Sequence, residues 1–249
     1  AVAMQLTARS IEKTPNKAVA RKQMLNMIGE MENKIRSAAI FIQQYAGNPV
    51  KLAVLPEYLL TSYPGRISIP DFADKAALEV DGPEYEAFGA MAQRLKMFIA
   101  GNAYEADKNF PGLYFQACFI VAPSGDVILR YRRLNSMFAP TPHDVWSKYL
   151  DIYGLDGVFP VAKTEIGNLA TIASEEILYP EIARALALRG AEIFAQFRNR
   201  LSARYSKRHR QTCPRARKYG ICCVCQYGRH RRYHNAPGLC GRKQHGGRL

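Results

Sequence analysis

The sequence predicts an α/β layered domain, and three observations lead there. Apolar residues recur every three or four positions across a long early segment. Compact apolar runs of strand length follow at intervals, separated by helical stretches. A late helix carries a proline where its first turn belongs and a glycine where it ends.

In order along the chain, AVAMQLTA reads as a short strand. From Arg21 to Ala46 the residues Met24, Met27, Ile28, Met31, Ile35, Ala38 and Ile42 lie on one helical face, an amphipathic helix. KLAVLPE is a buried strand, EYEAFGAMAQRLKM a second helix and MFIAGNAYEA a strand. YFQACFIVAPSGDVILRYRR is a hairpin turning at Pro-Ser-Gly-Asp. GNLATIAS is another buried strand, YPEIARALALRGA a helix opened by Pro180 and closed by Gly190, and AEIFA begins one more strand.

The net charge of +14 invites a nucleic-acid reading until its distribution is examined. Residues 1–194 carry 20 Lys and Arg against 21 Asp and Glu, whereas residues 195–249 carry 15 Lys and Arg and no acid. Five of the six cysteines and four of the five histidines also fall in that tail. The chain is thus two compositions joined near residue 194. No apolar stretch reaches the roughly 18 residues of a membrane span, and no secretory leader is visible, so a cytoplasmic location is expected.

Three residues follow buried strands, where layered α/β domains build sites: Glu57, Arg133 and Ser174. Singly, each has a plain explanation as a solvated acid, a basic turn or a cap. Together with their flanks they resemble a known pattern. Pro56-Glu57-Tyr58 through Thr61-Ser62-Tyr63-Pro64, then Tyr131-Arg132-Arg133-Leu134-Asn135, then Ser174-Glu175-Glu176-Ile177-Leu178-Tyr179-Pro180-Glu181 resemble three ordered blocks of the nitrilase or carbon–nitrogen hydrolase superfamily.

That resemblance implies an α-β-β-α sandwich and a Glu–Lys–Cys triad cleaving amides or nitriles through a thioester. It places Glu57 as general base, Arg133 in the lysine slot and Ser174 in the cysteine slot. A serine hydroxyl is a weak nucleophile without a strong base, and arginine keeps its charge but does not give up a proton. The resemblance therefore implies an amidase- or nitrilase-type hydrolase impaired at two of three positions, acting on a small amide or nitrile. A non-catalytic member or scaffold of the same fold is the alternative. Homo-oligomers are common in the family, and neither cofactor nor metal is expected. Cys118 lies mid-strand and is expected to be a core thiol.

The tail permits two further readings. Cys222, Cys225 and His230 fit C-x2-C-x4-H, but the fourth zinc ligand would fall at Asn235 and Cys240 comes too late. Zinc or nucleic-acid binding is therefore not expected. Read one base out of phase, residues 218–230 permit Asn-Met-Ala-Tyr-Val-Val-Ser-Ala-Asn-Met-Ala-Gly, which resembles the family's own continuation. Residues 1–194 are thus expected to form an incomplete hydrolase-like domain lacking its C-terminal part, and 195–249 to be an out-of-frame, non-native run.

Overall fold

The computed structural model describes residues 1–64, 67–136, 139–197 and 224–226. Helix α1 spans Lys17–Ala46. It starts four residues before Arg21 because the Asn16 side chain accepts the Val19 N–H, and it ends where Gly47 turns left-handed at φ 72°. Ala20, Met24, Met27, Ile28, Met31 and Ile35 are buried along it, whereas Ala38 and Ile42 are only partly covered. The apolar stripe thus outruns the surface it packs on.

Strands β1 (Val2–Ala3), β2 (Leu52–Val54) and β4 (Phe98–Ala106) run parallel, with β5 (Tyr114–Val121) and β6 (Val127–Arg132) following antiparallel in the same sheet. Short β3 (Leu78–Glu79) pairs with the far end of β4. The second sheet has the order β10-β9-β8-β7, built from β7 (Ala162–Thr164), β8 (Gly167–Ala173), β9 (Ile193–Phe197) and β10 (Val224–Gln226). Only β8 and β9 are parallel there.

Alternation within each strand of the first sheet explains the layering. Ala53, Ile99, Phe119 and Val121 face a core shared with α1, α2 (Ile69–Ala76) and α3 (Pro83–Leu95). Their neighbours Leu52, Val54, Phe98, Cys118 and Ile120 face a second core. That core also holds Leu169, Ile172, Phe194 and Phe197 of the second sheet, with Ile182 and Leu186 of α5 (Pro180–Leu188). The order helix, sheet, sheet, helix is the expected α-β-β-α sandwich. Both faces of each sheet are covered, which is why the strands read as continuous apolar runs.

Five helices and strands are not legible in the sequence: α2, β3, β7, α4 (Trp146–Val158) and β10. Helix α2 has eight residues, too short for a period to register; Ser68 caps it by accepting the Asp71 N–H. Helix α4 is broken at Gly154 (φ 60°), which interrupts its apolar pattern. At the other end, strand β9 continues through the compositional break at 194, burying Ala195 and Phe197. The zinc-spaced histidine and Cys222 lie outside the described residues; of that motif only Cys225 falls within them, in β10.

Candidate active site

Three loops at strand ends meet at one place. Glu57 lies three residues past β2, Arg133 directly follows β6, and Ser174 directly follows β8. The structure brings all three together. Ser174 Oγ donates to Glu57 Oε2 at 3.1 Å. Arg133 reaches the same carboxylate through an intermediary: its Nη1 donates to Gln116 Oε1 at 2.8 Å, and Gln116 Nε2 donates to Glu57 Oε1 at 3.0 Å.

Local backbone strain shapes two of these loops. Ser174 has φ 47° and Tyr58 φ 54°, left-handed values that side-chain-bearing residues seldom adopt. At Ser174 the turn passes from β8 into a single 3-10 turn, Ser174–Leu178, that presents the hydroxyl to Glu57. Gln196 of β9 donates to the Ser174 carbonyl at 3.2 Å, holding the strained turn against the neighbouring strand. At Tyr58 the N–H donates to Asn102 Oδ1 of β4.

Glu57 is 1% exposed, Ser174 3% and Arg133 5%. Burial pushes the Glu57 carboxyl up to about 7, against the opposing pull of the Arg133 charge and the hydrogen bonds from Gln116 and Ser174. Glu57 thus sits where a base is half-ionised near neutrality. Burial works against the Arg133 cation, but Tyr58, Glu175 and Glu176 outweigh it and hold the guanidinium above its ordinary value. Arg133 is a fixed positive charge.

Two acids beside Ser174, within the same block of residues, have no role legible in the sequence. Glu175 forms an ion pair with Arg133, whose Nε also donates to the Asn135 carbonyl. Glu176 is fully buried and accepts from the Leu134 and Asn135 N–H groups at 2.8 and 2.9 Å and from Tyr131 Oη at 2.8 Å. It ties the loop after β6 to the turn after β8, and so sets the distance between Arg133 and Ser174.

A cavity of about 670 Å³ opens beside this cluster, lined by Leu134, Asn135, Thr141, Asp144, Glu175 and Tyr179 among others. Both groups that Arg133 grips there, Glu175 and Asn135, line the cavity; Glu57 and Ser174 do not. Cys118 is fully buried in β5, where burial raises its thiol well above the ordinary value. Among the described residues no group of three side chains could hold a metal ion, and no helix is long and apolar enough to cross a membrane.

An acid, a fixed cation and a hydroxyl thus converge from three strand ends of a four-layered sandwich. The chain belongs to the carbon–nitrogen hydrolase family, whose model matches residues 18–225. It is similar to a formamidase of Helicobacter acinonychis, 26% identical over 174 residues that cover 69% of this chain and 48% of that enzyme. It is also similar to a bifunctional nitrilase/nitrile hydratase of Oryza sativa, 28% identical with 61% and 44% covered. Its fold is like that of Saccharomyces cerevisiae Nit3, a nitrilase-superfamily member, with a TM-score of 0.59 at 16% identity over 81% of this chain and 65% of the other. The chain spans about half the length of the curated relatives it matches.

Proposed function

We propose that the chain is an amide or nitrile hydrolase by descent, with Glu57 as base and Ser174 in the nucleophile's place, and that turnover is severely impaired. The observation that carries this reading is the Ser174 Oγ to Glu57 Oε2 hydrogen bond of 3.1 Å. In the reaction, Glu57 would take the hydroxyl proton as Oγ bonds to the amide carbon. The C–N bond would break as that proton passes to the leaving amine, leaving an ester on Ser174 for water to cleave. Arg133 can stabilise charge on the carbonyl oxygen but cannot deliver a proton. A serine hydroxyl gives far less thiolate-like reactivity than cysteine at the same position.

The burial of all three groups supports a second reading, a non-catalytic family member that holds a small amide or serves as an oligomeric scaffold in the cytoplasm. In that reading the Arg133–Glu175 pair keeps Ser174 from the cavity. Turnover and binding of short amides by the natural chain and by Glu57→Gln separate the two. Slow turnover abolished in Glu57→Gln supports the impaired hydrolase; saturable amide binding with no turnover supports the scaffold.

For residues 195–249 the proposal is that they supply no catalytic group and arise from a shift of reading phase near codon 194. The support is the loss of every acidic residue beyond Glu192 together with the family-like string that the tail permits one base out of phase. The nucleotide sequence across codons 185–249 tests it: an insertion or deletion near codon 194 supports the shift, and codons incompatible with the family-like string overturn it.

A further inference from the structure

We propose that Gln116 is a positioning residue that fixes which oxygen of Glu57 exchanges its proton with Ser174. This rests on the reading of Glu57 as the base of the site. Gln116 lies in the middle of β5, buried, opposite Tyr104 of β4. Nothing in YFQACFIV marks it, because a glutamine amid apolar strand residues has no motif around it.

Its orientation follows from its partners. Gln116 Oε1 accepts from Arg133 Nη1 at 2.8 Å and from Tyr58 Oη at 3.1 Å. Turning the amide over would set its NH2 against two donors, one of them cationic. Nε2 is therefore aimed at Glu57 Oε1, 3.0 Å away. The backbone adds a second tie, since the Gln116 carbonyl accepts the Arg133 N–H at 2.9 Å. A single residue thus pins the Arg133 backbone, the Arg133 guanidinium and the Glu57 carboxylate.

An N–H donor already pointing at Oε1 makes that oxygen a poor place for a proton. Oε2 is left to carry it, and Oε2 is the oxygen that faces Ser174 Oγ. Among the described residues, the other titratable or charged groups around the carboxyl are Tyr58 on its own loop, Tyr104 of β4, Cys118 of β5, Arg133 after β6 and Glu175 after Ser174. The Gln116 bond opposes the upward pull of burial on Glu57, in the same direction as the Arg133 charge.

The test is the titration of Glu57 in the full chain, followed by NMR of carboxyl-labelled glutamate and assigned through Glu57→Gln. Gln116→Met keeps the volume and removes the donor; Gln116→Glu keeps an acceptor for Tyr58 and Arg133 but cannot donate while ionised. Both are expected to move the Glu57 midpoint upward, by about one pH unit for Gln116→Met, a tenfold gain in proton affinity. A midpoint unchanged in either variant, with the amide spectrum otherwise preserved, overturns the proposal. Absence of turnover in all variants would count against the hydrolase reading and not against this one, because the titration needs no turnover.

Discussion

Ser174 Oγ and Glu57 Oε2 lie 3.1 Å apart although 117 positions separate them in the chain. They come from different sheets: Glu57 follows β2 of the first, Ser174 follows β8 of the second. The hydrogen bond spans the two layers at the edge of their shared core. Such a contact depends on sheet stacking as much as on either loop, so the site and the fold are tested together by changes to either.

Stability is expected to depend on pH through Glu57. Its carboxyl titrates at about 7 in the folded chain against an ordinary value of 4.5. Between those values the folded state keeps a proton that the unfolded state has lost, so stability falls as pH rises through this window. Above pH 7 the full cost of the buried charge remains. Glu57→Gln removes it and should gain stability over the natural chain by up to about 3 kcal/mol at pH 8, with little gain near pH 4. Glu176, raised by burial in the same direction, leaves a residual slope. Urea unfolding at both pH values checks this, and a pH-independent difference would count against it.

The buried network around Glu105 should be sensitive to loss of one partner. Glu105 is fully buried and accepts from Arg132 at 2.9 Å, Arg130 at 3.1 Å and Tyr85 at 2.8 Å. Arg132 also pairs with Asp107 at 2.7 Å. Arg132→Met removes the cation these two acids share, leaving Glu105 to Arg130 and Tyr85 and Asp107 to Tyr153 and the Asn109 N–H, and is expected to cost about 3–5 kcal/mol in denaturant unfolding. A loss below 1 kcal/mol would show that water reaches these groups.

Gly89 of α3 lies against the turn between β5 and β6. A Cβ there would stand 2.6 Å from the Gly125 carbonyl oxygen, a backbone atom with little room to yield. Gly89→Ala should therefore destabilise by about 1–3 kcal/mol despite the better helix propensity of alanine. Gly29 of α1 has nothing within 4 Å of its Cβ position, so Gly29→Ala serves as the control and should be neutral or stabilising.

The Glu176 carboxylate is expected to matter to the site without touching substrate. Replacing it in Glu176→Ala leaves the buried Leu134 N–H and the neighbouring Asn135 N–H without their acceptor. An unfolding cost of about 2–3 kcal/mol should follow, with broadened NMR signals for the loop after β6.

How much of this could be read from the chain varies with the range of the interaction. Strands buried on both faces were legible as apolar runs, and Glu57, Arg133 and Ser174 were legible because each lies in a short contiguous block of residues. Gln116 was not, since its partners Glu57 and Arg133 lie 59 and 17 positions away, and they reach it only through the sheet: β6 beside β5 brings Arg133, and β2 beyond β4 brings Glu57. Glu175 and Glu176 were visible as letters, but which would pair with Arg133 and which would hold backbone depends on the 3-10 turn after Ser174. Helix α4 was hidden by its own break at Gly154, and α2 by its length.

Amide turnover by the natural chain, by Ser174→Cys, by Arg133→Lys and by the double variant tests the central claim most directly. The account predicts a natural chain turning over well below about 1 per second, and a double variant faster by about 100-fold or more. A natural chain working at the roughly 10 per second of an ordinary enzyme would contradict it. So would a folded double variant that binds amide and still does not cleave it.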